Sequence, residues 1–329
     1  MNIGLVGCGL VGRKRAEALG PHRLTVCVDT VVERAEALAV RVPDCVASDD
    51  VGRAVHDPHV QVVIVATTND ALADIARQAA EAGKHVLIEK PGARTTRELR
   101  AVLTAVERAG VAAKVGFNHR FHPAFVHARR IFDEGGLGEL LYIRARYGHG
   151  GRLHYEREWR ADPTVSGGGE LLDQGSHLID LARWFAGDFS DVTGHLATYF
   201  WPMLVEDNAF VFLKTRAGQA AWLHASWTEW KNLFSFELFG RDGKLQIDGL
   251  GGSYGTERLT HYRMLPSMGP PRRISWEFPG PDESWEHEFV HFTDCIETGA
   301  PPCGSLLDAL ANLRIIEELY RSVGRDHYA

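Results

Sequence analysis

The chain has 329 residues, of which 45% are hydrophobic and 24% are charged, so it can form two globular domains. Its formal net charge of −7 argues against a nucleic acid or an anionic membrane as partner. No run approaches the ~18 apolar residues of a membrane span, and the first basic residues follow the N-terminal apolar run, so we expect a soluble, cytoplasmic protein. The five cysteines form no C-x-x-C pair, which favours a reducing compartment, and no metal site is predicted.

A glycine-rich loop follows the first β-prone run, residues 2–7, and leads into a helix-forming segment, residues 13–19. The loop consists of Gly7, Cys8, Gly9, Leu10, Val11 and Gly12. In this context the first glycine permits a tight turn, the second lets the backbone approach a pyrophosphate, and the third lets the helix pack on the strand. Because the helix N-terminus also favours phosphate, we predict that these six residues bind a dinucleotide.

Asp29 ends the second predicted strand, residues 24–28. A carboxylate at this position can accept hydrogen bonds from both ribose hydroxyls of NAD, and it repels the 2′-phosphate of NADP. The next residues, Thr30, Val31 and Val32, offer no cation to hold such a phosphate. Taken alone, Asp29 is also compatible with a helix N-cap, but together with the glycine loop it predicts NAD in preference to NADP.

Helix-like and strand-like segments continue to alternate up to residue 122. Helices are predicted at residues 31–41, 49–56, 71–82 and 96–110, and strands at 60–66, 85–88 and 112–117. This alternation predicts a parallel, doubly wound α/β sheet, as in a Rossmann domain. Ligands bind such sheets at the carboxyl ends of the strands, so Thr67, Thr68 and Asn69 are predicted to contact the cofactor. We expect two domains, at residues 1–122 and 123–329.

The strand at residues 85–88 ends in Glu89, Lys90 and Pro91. Lys90 is therefore expected at the ligand-binding edge of the sheet. A lysine there can hydrogen-bond a substrate hydroxyl and favour its alkoxide as hydride leaves. The alternative is an ordinary surface lysine in a loop.

A second candidate site lies at residues 167–180, where three glycines precede an apolar pattern of helical period. Asp173 and His177 are four residues apart and can meet on one helix face. A carboxylate beside an imidazole supports the imidazolium, which suits a general base near neutral pH. The alternative is an ordinary pair on a solvated face. Asp180 lies on the same stripe, and its role is left open.

A cationic region precedes these glycines and contains Arg152, Arg157, Arg160 and Tyr155. Its position suggests that it lines the substrate entrance. One hypothesis is recognition of an anionic substrate group, because arginine forks match carboxylate and phosphate oxygens. The alternative is intramolecular pairing with the nearby acids Glu156, Glu158 and Asp162.

The rest of the chain reads as a helix, a series of short strands and two C-terminal helices. Helices are predicted at 123–133, 283–297 and 305–323, and strands at 140–147, 192–201, 208–213, 219–229, 233–239, 244–247 and 258–264. The spacing suggests an antiparallel meander, and the Pro/Gly-rich segment 266–281 is predicted to be a loop. The strands are rich in aromatic residues, so we expect one sheet face to be covered by another subunit.

Four motifs in this order resemble the Gfo/Idh/MocA oxidoreductases, the family that includes glucose–fructose oxidoreductase and inositol dehydrogenases. They are G-C-G-L-V-G at 7–12, E-K-P at 89–91, G-F-N-H-R-F-H-P at 116–123 and G-G-G-E-L-L-D-Q-G-S-H-L-I-D at 167–180. The resemblance covers nearly the whole chain. It implies an N-terminal Rossmann domain and a C-terminal α+β domain with a large, mostly antiparallel sheet.

The resemblance also implies a reaction, namely NAD- or NADP-dependent oxidation of a ring hydroxyl of a sugar, sugar derivative or cyclitol, by a homodimer or homotetramer. It places Lys90, Asp173 and His177 around the reacting carbon, with His177 taking the hydroxyl proton. Neighbouring motif positions complete the predicted sites, with Glu89, Lys90 and Asn118 on the cofactor side and Arg120 on the substrate side. Tyr155 and Arg160, from the cationic region, are also predicted to contact the substrate.

Two alternatives share the same fold. One is a glycosidase that keeps NAD bound and recycles it through transient oxidation of the substrate. The other is a non-catalytic NAD-binding regulator, which has no need of Lys90, Asp173 and His177 together. Their joint presence favours an enzyme.

Overall fold

The structure is a computed structural model that describes residues 1–324, and the chain divides into two compact units. The first unit comprises Met1–Phe117, Thr164–Gly167 and Trp285–Leu313. The second comprises Asn118–Pro163, Gly168–Ser284 and the residues from Arg314 onward. This division differs from the predicted single boundary after residue 122, because the chain returns twice to the first unit. The second return contains nearly all of the first C-terminal helix and about half of the second.

The helices and strands follow in chain order. The helices are α1 (Leu10–Glu17), α2 (Val32–Ala39), α3 (Gly52–Val55), α4 (Asn69–Glu81), α5 (Thr96–Ala109), α6 (Pro123–Asp133), α7 (Pro163–Ser166), α8 (Ser176–Ala186), α9 (Ser284–Thr298) and α10 (Leu306–Ser322). The strands are β1 (Asn2–Val6), β2 (Arg23–Val28), β3 (Val46–Ser48), β4 (Val62–Val65), β5 (His85–Ile88), β6 (Ala113–Val115), β7 (Leu140–Gly148), β8 (Phe189–Ala197), β9 (Asn208–Thr215), β10 (Ala220–Ser226), β11 (Leu233–Gly240), β12 (Gly243–Asp248), β13 (Glu257–Arg263) and β14 (Arg272–Phe278).

The first unit contains a parallel sheet whose strand order, within the described residues, is β3-β2-β1-β4-β5-β6. Every pair in this sheet is parallel, which confirms the predicted doubly wound Rossmann sheet. The central strand β4 reads Val-Val-Ile-Val and is buried throughout, as expected for a strand covered on both faces. Phe289 and Phe292 of α9 belong to the same core cluster, which explains why that helix belongs to this unit.

The second unit contains a sheet with the order β14-β13-β12-β11-β7-β10-β9-β8 among residues 1–324. Its neighbouring strands are antiparallel except for β7 and β10, which run parallel. The predicted mostly antiparallel sheet is therefore confirmed, although its order is not a simple meander. β7 lies between β10 and β11, so the strand that comes first in this unit occupies the middle of the sheet.

Strand β14 falls inside the segment 266–281, so the prediction of a loop there was wrong for seven of its residues. Ile274, Trp276 and Phe278 alternate with polar residues, which is the period of a half-buried strand. β14 pairs with β13 along its length and forms an edge of the sheet. The loop was predicted because the flanking prolines and glycines dominate the composition of the segment.

The two faces of the second sheet differ in their covering. Helices α6 and α8 contact one face, where side chains such as Ala145, Leu223 and Phe236 are fully buried. The opposite face, called here the open face, carries half-exposed or exposed aromatic side chains: Tyr142, Phe210, Phe212, Trp222, His224 and Phe239. No helix within residues 1–324 has the length and hydropathy needed to cross a membrane.

Candidate active site

The glycine loop of the first unit has the shape that a dinucleotide diphosphate requires. Gly7 has a φ of +95°, and a side chain on it would collide with the carbonyl of Ala66. A side chain on Gly12 would collide with the carbonyl of Gly7, so this glycine permits α1 to pack on the loop. Gly9, in contrast, faces open space. The loop therefore leaves room for a phosphate at the start of α1, where backbone N–H groups favour an anion.

Asp29 lies directly after β2 and reaches back to this loop. Its Oδ2 accepts a hydrogen bond from Cys8 N at 2.7 Å, and its Oδ1 accepts one from Val31 N at 2.9 Å. A carboxylate offers roughly four acceptor sites, so capacity remains for ribose hydroxyls. Arg34 Nη1 lies 3.8 Å from Asp29 Oδ1. The NAD prediction noted that Thr30, Val31 and Val32 include no cation, and Arg34 lies just beyond them in the chain. Its guanidinium is paired with Asp29. The chemistry of this donor and acceptor set fits NAD.

The loop after β4 holds the next three predicted cofactor contacts. Thr68 is the N-cap residue of α4, and its hydroxyl donates to Asp70 Oδ1 at 2.6 Å. Thr67 donates to the carbonyl of Thr68, and Asn69 Nδ2 donates to the carbonyl of Ser166 at 2.8 Å. Ser166 belongs to the same unit. The Asn69 side-chain amide thus binds the backbone at Ser166. Thr67 and Thr68 are half-buried at the carboxyl edge of the sheet.

Glu89 is buried, and its observed partner is Arg15 of α1. Arg15 Nε lies 2.5 Å from Glu89 Oε1, and Arg15 Nη1 lies 2.7 Å from Glu288 Oε2. Lys114 Nζ lies 2.5 Å from Glu288 Oε1, so two cations and two carboxylates form one interior network. Burial raises the pKa of the Glu89 carboxyl, and the Arg15 guanidinium opposes that rise. The network fixes the end of β5, and the half-buried Lys90 follows directly.

The three glycines at residues 167–169 span the boundary between the units, since Gly167 belongs to the first and Gly168 to the second. A side chain on Gly168 would collide with the Tyr320 hydroxyl, and one on Gly169 with the backbone of Glu206. Glu206 Oε1 accepts hydrogen bonds from Gly169 N at 3.1 Å, Leu171 N at 3.1 Å and Tyr320 Oη at 2.8 Å. The buried Glu206 carboxylate therefore anchors the start of the segment that carries Asp173 and His177.

This segment begins as one π-helical turn, Leu171–Gly175, and continues as α8. The helical pattern predicted after the three glycines therefore begins with a π turn, and the regular α-helix starts at Ser176. π turns are rare and often occur at functional sites. Asp173 lies half-exposed in the π turn, and His177 is buried in the first turn of α8. The Ser176 hydroxyl donates to the Asp173 carbonyl at 2.9 Å and ties the two elements together.

Asp173 forms an ion pair with Arg160, whose Nε lies 3.1 Å from Oδ2. Burial alone would lower the pKa of Arg160, but the Asp173 carboxylate and other acceptors raise it above its ordinary value. The other arginines of the cationic region are also paired. Arg152 Nε lies 2.6 Å from Glu158 Oε1, and Arg157 Nε lies 3.6 Å from Glu156 Oε1. The structure thus shows the intramolecular pairing that was the alternative to an anion site.

Tyr155, predicted to contact substrate, is 2% exposed and packs with Val205 and Trp227. Its ring meets that of Trp227 edge-on at 5.0 Å. Burial raises the pKa of Tyr155 far above its ordinary value, with the Asp173 carboxylate adding to the rise. Tyr155 is therefore a neutral, buried side chain.

Residues 118–121 form a 3-10 turn at the start of the second unit, and it holds two further predicted contacts. Asn118 Nδ2 donates to Ser284 Oγ at 2.9 Å. Arg120 donates through Nε and Nη2 to Asp180 Oδ2 and Oδ1, at 2.8 and 2.6 Å. Arg120 and Asp180 are 5% and 1% exposed. The partner that these contacts give to Arg120 is thus the Asp180 carboxylate.

His177 lies beside residues that the sequence did not single out. The ring of His119 stacks on it with centroids 3.7 Å apart, and the ring of Tyr147 lies 6.3 Å away. Burial, with the neighbouring Tyr254 and Asp173, raises the pKa of Tyr147 well above its ordinary value. The H-R-F-H stretch at 119–122 was a visible signal for a histidine cluster, but the stacking geometry was not. Among residues 1–324, no group of three or more metal-binding side chains is present.

Comparisons with known proteins match the N-terminal Rossmann region and much of the region that follows it. Residues 1–117 match a family model described as an oxidoreductase family with an NAD-binding Rossmann fold. Residues 125–246 match one described as the GFO/IDH/MocA C-terminal domain. The chain is 29% identical over 326 residues to scyllo-inositol 2-dehydrogenase (NAD(+)) of Bacillus subtilis (strain 168), covering 94% of this chain and 90% of that one.

Two further similarities extend the range of substrates among the relatives. The chain is 30% identical over 253 residues to 1,5-anhydro-D-fructose reductase of Ensifer adhaerens, covering 74% of each chain. Among solved structures, it is similar to levoglucosan dehydrogenase in complex with NADH and levoglucosan. That match has a TM-score of 0.87 at 25% identity and covers 99% of this chain and 97% of the other.

Proposed function

Because the chain belongs to the Gfo/Idh/MocA oxidoreductase family, we propose that it transfers a hydride between NAD and a ring secondary alcohol of a sugar, sugar derivative or cyclitol. The observation that carries this proposal is the Asp29 carboxylate, fixed beside an open glycine loop by Cys8 N at 2.7 Å. An acid at this place suits the ribose of NAD. Gly9 and the start of α1 would hold the diphosphate, and Asp29 would hold the ribose.

NAD supplies the hydride chemistry when it is bound, and the chain supplies proton transfer and positioning. His177 takes the hydroxyl proton, because a buried imidazole can act as a base near neutral pH. Asp173, four residues earlier, stabilises the imidazolium that forms. Lys90, at the end of β5, polarises the substrate oxygen. Arg160 acts through its ion pair with Asp173 and keeps that carboxylate oriented.

The substrate that fits best is a neutral polyol ring. Arg152, Arg157 and Arg160 each lie beside a carboxylate of this chain, which leaves less positive charge for an anionic substrate. The relatives described above act on inositol, anhydro-fructose and levoglucosan, according to their names, and all three are uncharged ring compounds. These facts favour a cyclitol or an unphosphorylated sugar over a nucleotide sugar or a uronate.

The open face of the second sheet supports a homodimer or homotetramer as the working form. Phe212 and Trp222 are 46% and 39% exposed and lie on neighbouring strands at paired positions. Tyr142 and Phe239 stack on one another on the same face. Exposed aromatic side chains on one sheet face are costly to leave in water, and a second copy of the sheet would cover them.

The proposal is tested by mixing the purified protein with NAD and a panel of neutral and anionic ring alcohols, and following NADH absorbance. The panel contains scyllo-inositol, myo-inositol, levoglucosan, a uronate, a sugar phosphate and a nucleotide sugar, and a simple glycoside is assayed beside it for sugar release. We expect NADH with at least one neutral ring and little with the anionic ones. Sugar release from a glycoside without net NADH would instead indicate the NAD-retaining glycosidase reaction and contradict the proposal.

A further inference from the structure

Two imidazoles lie face to face in the second unit, and the proposed reaction uses only His177. The His119 ring lies 3.7 Å from it, centroid to centroid, with 10° between the planes. The two residues are 6% and 5% exposed. We propose that His119 is a positioning residue, which holds the plane of the His177 ring and stabilises the imidazolium formed when His177 takes the hydroxyl proton. This inference rests on the proposed role of His177 as the base.

A chain of hydrogen bonds orients the His119 ring. Ser284 Oγ donates to Asp282 Oδ1 at 2.6 Å, so it accepts from Asn118 Nδ2 at 2.9 Å. Asn118 Oδ1 is then the acceptor for His119 Nδ1, which lies 3.2 Å away. This network places a hydrogen of His119 on Nδ1. A neutral aromatic face attracts a cation stacked against it, whereas two stacked imidazolium rings repel one another.

One ion pair and one contact between a histidine and a carboxylate hold the stacked rings in place. Arg120, the neighbour of His119 in the chain, is bound to Asp180, which lies one turn beyond His177 in α8. Glu257 lies 2.9 Å from His122 Nδ1 through Oε2 and accepts from Ala124 N at 2.7 Å through Oε1. The His119 ring therefore has little freedom to leave the His177 ring. A fixed partner keeps the base oriented and reduces the reorganisation that proton transfer requires.

The other ionisable groups near the stack come from every element of the second unit that surrounds it. They are Tyr147 of β7, Tyr254, Glu170 and Asp173 of the segment before α8, Arg160, Asp180 with Arg120, and His122 with Glu257. The tyrosines are neutral because burial raises the pKa of each. Asp173 and Asp180 are each paired with an arginine. Of these neighbours and His119, the His119 ring is the one that stacks face to face on the His177 ring.

Two substitutions separate the contribution of a flat stacked ring from the contribution of an ionisable nitrogen. His119→Leu removes the flat ring, and His119→Phe keeps a flat ring without an ionisable nitrogen. In His119→Leu we expect kcat to fall about tenfold with KM changed less than about twofold, and the acidic limb of the kcat/KM pH profile to move down by about half a unit. In His119→Phe, kcat and the position of the acidic limb should both return most of the way to their wild-type values. The control is His127→Leu, which removes a histidine from a ring contact with Trp276 and should behave like the wild type.

A second readout does not depend on turnover. NMR of protein carrying labelled histidine gives the titration midpoint of His177 in the wild type and in His119→Leu, without substrate. An unmoved midpoint overturns the inference, and so does a His119→Phe variant as impaired as His119→Leu. A midpoint that moves down, in a protein that oxidises no ring alcohol of the panel, contradicts the proposed function and supports the stacking inference.

Discussion

Arg120 and Asp180 lie 60 residues apart in the chain and form an interior ion pair through two hydrogen bonds of 2.8 and 2.6 Å. The pair joins the 3-10 turn that opens the second unit to α8, the helix that carries His177. Asp180, whose role was open from the sequence, is therefore a structural carboxylate. Both side chains are at least nine-tenths buried, so the loss of one would leave the charge of the other in the interior.

Removing one partner of this pair is expected to destabilise the second unit strongly. Asp180→Leu should lower the free energy of unfolding by about 3–5 kcal/mol, because the Arg120 charge stays buried without its carboxylate. The double variant Arg120→Met, Asp180→Leu should lose less than the single variant, because no uncompensated charge remains. Urea unfolding followed by circular dichroism measures both. A single variant within about 1 kcal/mol of the wild type would show that the pair contributes little.

Asp29 and Arg34 together are expected to set cofactor preference. Asp29→Ser removes the carboxylate that repels a 2′-phosphate and releases Arg34, which lies 3.8 Å from it. The ratio of kcat/KM for NADP to that for NAD should rise at least about tenfold, since a guanidinium binds phosphate well. Asp29→Ser combined with Arg34→Ala should return most of this gain. An unchanged ratio in the single variant would mean that another residue discriminates the cofactors.

Three of the described histidines accept a hydrogen bond from a backbone N–H through a ring nitrogen, and this makes stability depend on pH. They are His85 (from Ala112 N, 3.0 Å), His149 (from Gly151 N, 2.9 Å) and His291 (from Cys303 N, 2.9 Å). Burial lowers the pKa of each below its ordinary value. The unfolded chain, with histidine pKa values near about 6.5, therefore binds protons first as the pH falls.

The resulting prediction is a melting temperature that is constant above about pH 7 and falls progressively below about pH 6.5. His85→Asn and His149→Asn should flatten this fall, because an amide oxygen accepts the same hydrogen bond without titrating. His56→Asn, at an exposed position, is the matched control and should keep the wild-type slope. Calorimetry across this pH range checks the effect. Equal slopes in all variants would contradict it.

The open face is expected to be a subunit interface. Trp222→Asp together with Phe212→Asp places charges on this face and should convert the oligomer into monomers without unfolding the chain. Leu307→Asp changes an exposed leucine of α10 and serves as control. Light scattering at micromolar concentration measures the mass of each. A wild-type protein that is already monomeric at that concentration would end the proposal of an interface.

The parallel sheet of the first unit could be predicted from the sequence nearly in full because its signals are local, whereas the two returns of the chain to this unit could not. Gly7, Gly12 and Asp29 occupy one strand–loop–helix unit and the end of the next strand, and the structure places them around one open loop. The parallel sheet follows from alternating segments whose apolar periods are clear. The short strand β3 was not predicted, because three residues carry too little periodicity.

The second unit and the details of the site depended on contacts between distant residues. The Arg120–Asp180 pair, the stacking of His119 on His177 and the Glu206 anchor each join segments tens of residues apart. Such pairings follow from tertiary packing, which overrides any local preference. For the same reason, the parallel pairing of β7 with β10 could not be read from the turns between strands.

The most direct measurement of the proposed chemistry is a single-turnover experiment on His177→Gln with NAD and a ring alcohol that the wild type oxidises. Loss of the base should slow NADH formation at least about 100-fold, while the dissociation constant of NAD stays within about twofold of the wild type. The wild type itself should form NADH in one rapid phase. Formation of NADH by His177→Gln at close to the wild-type rate would contradict the assignment of His177 as the base.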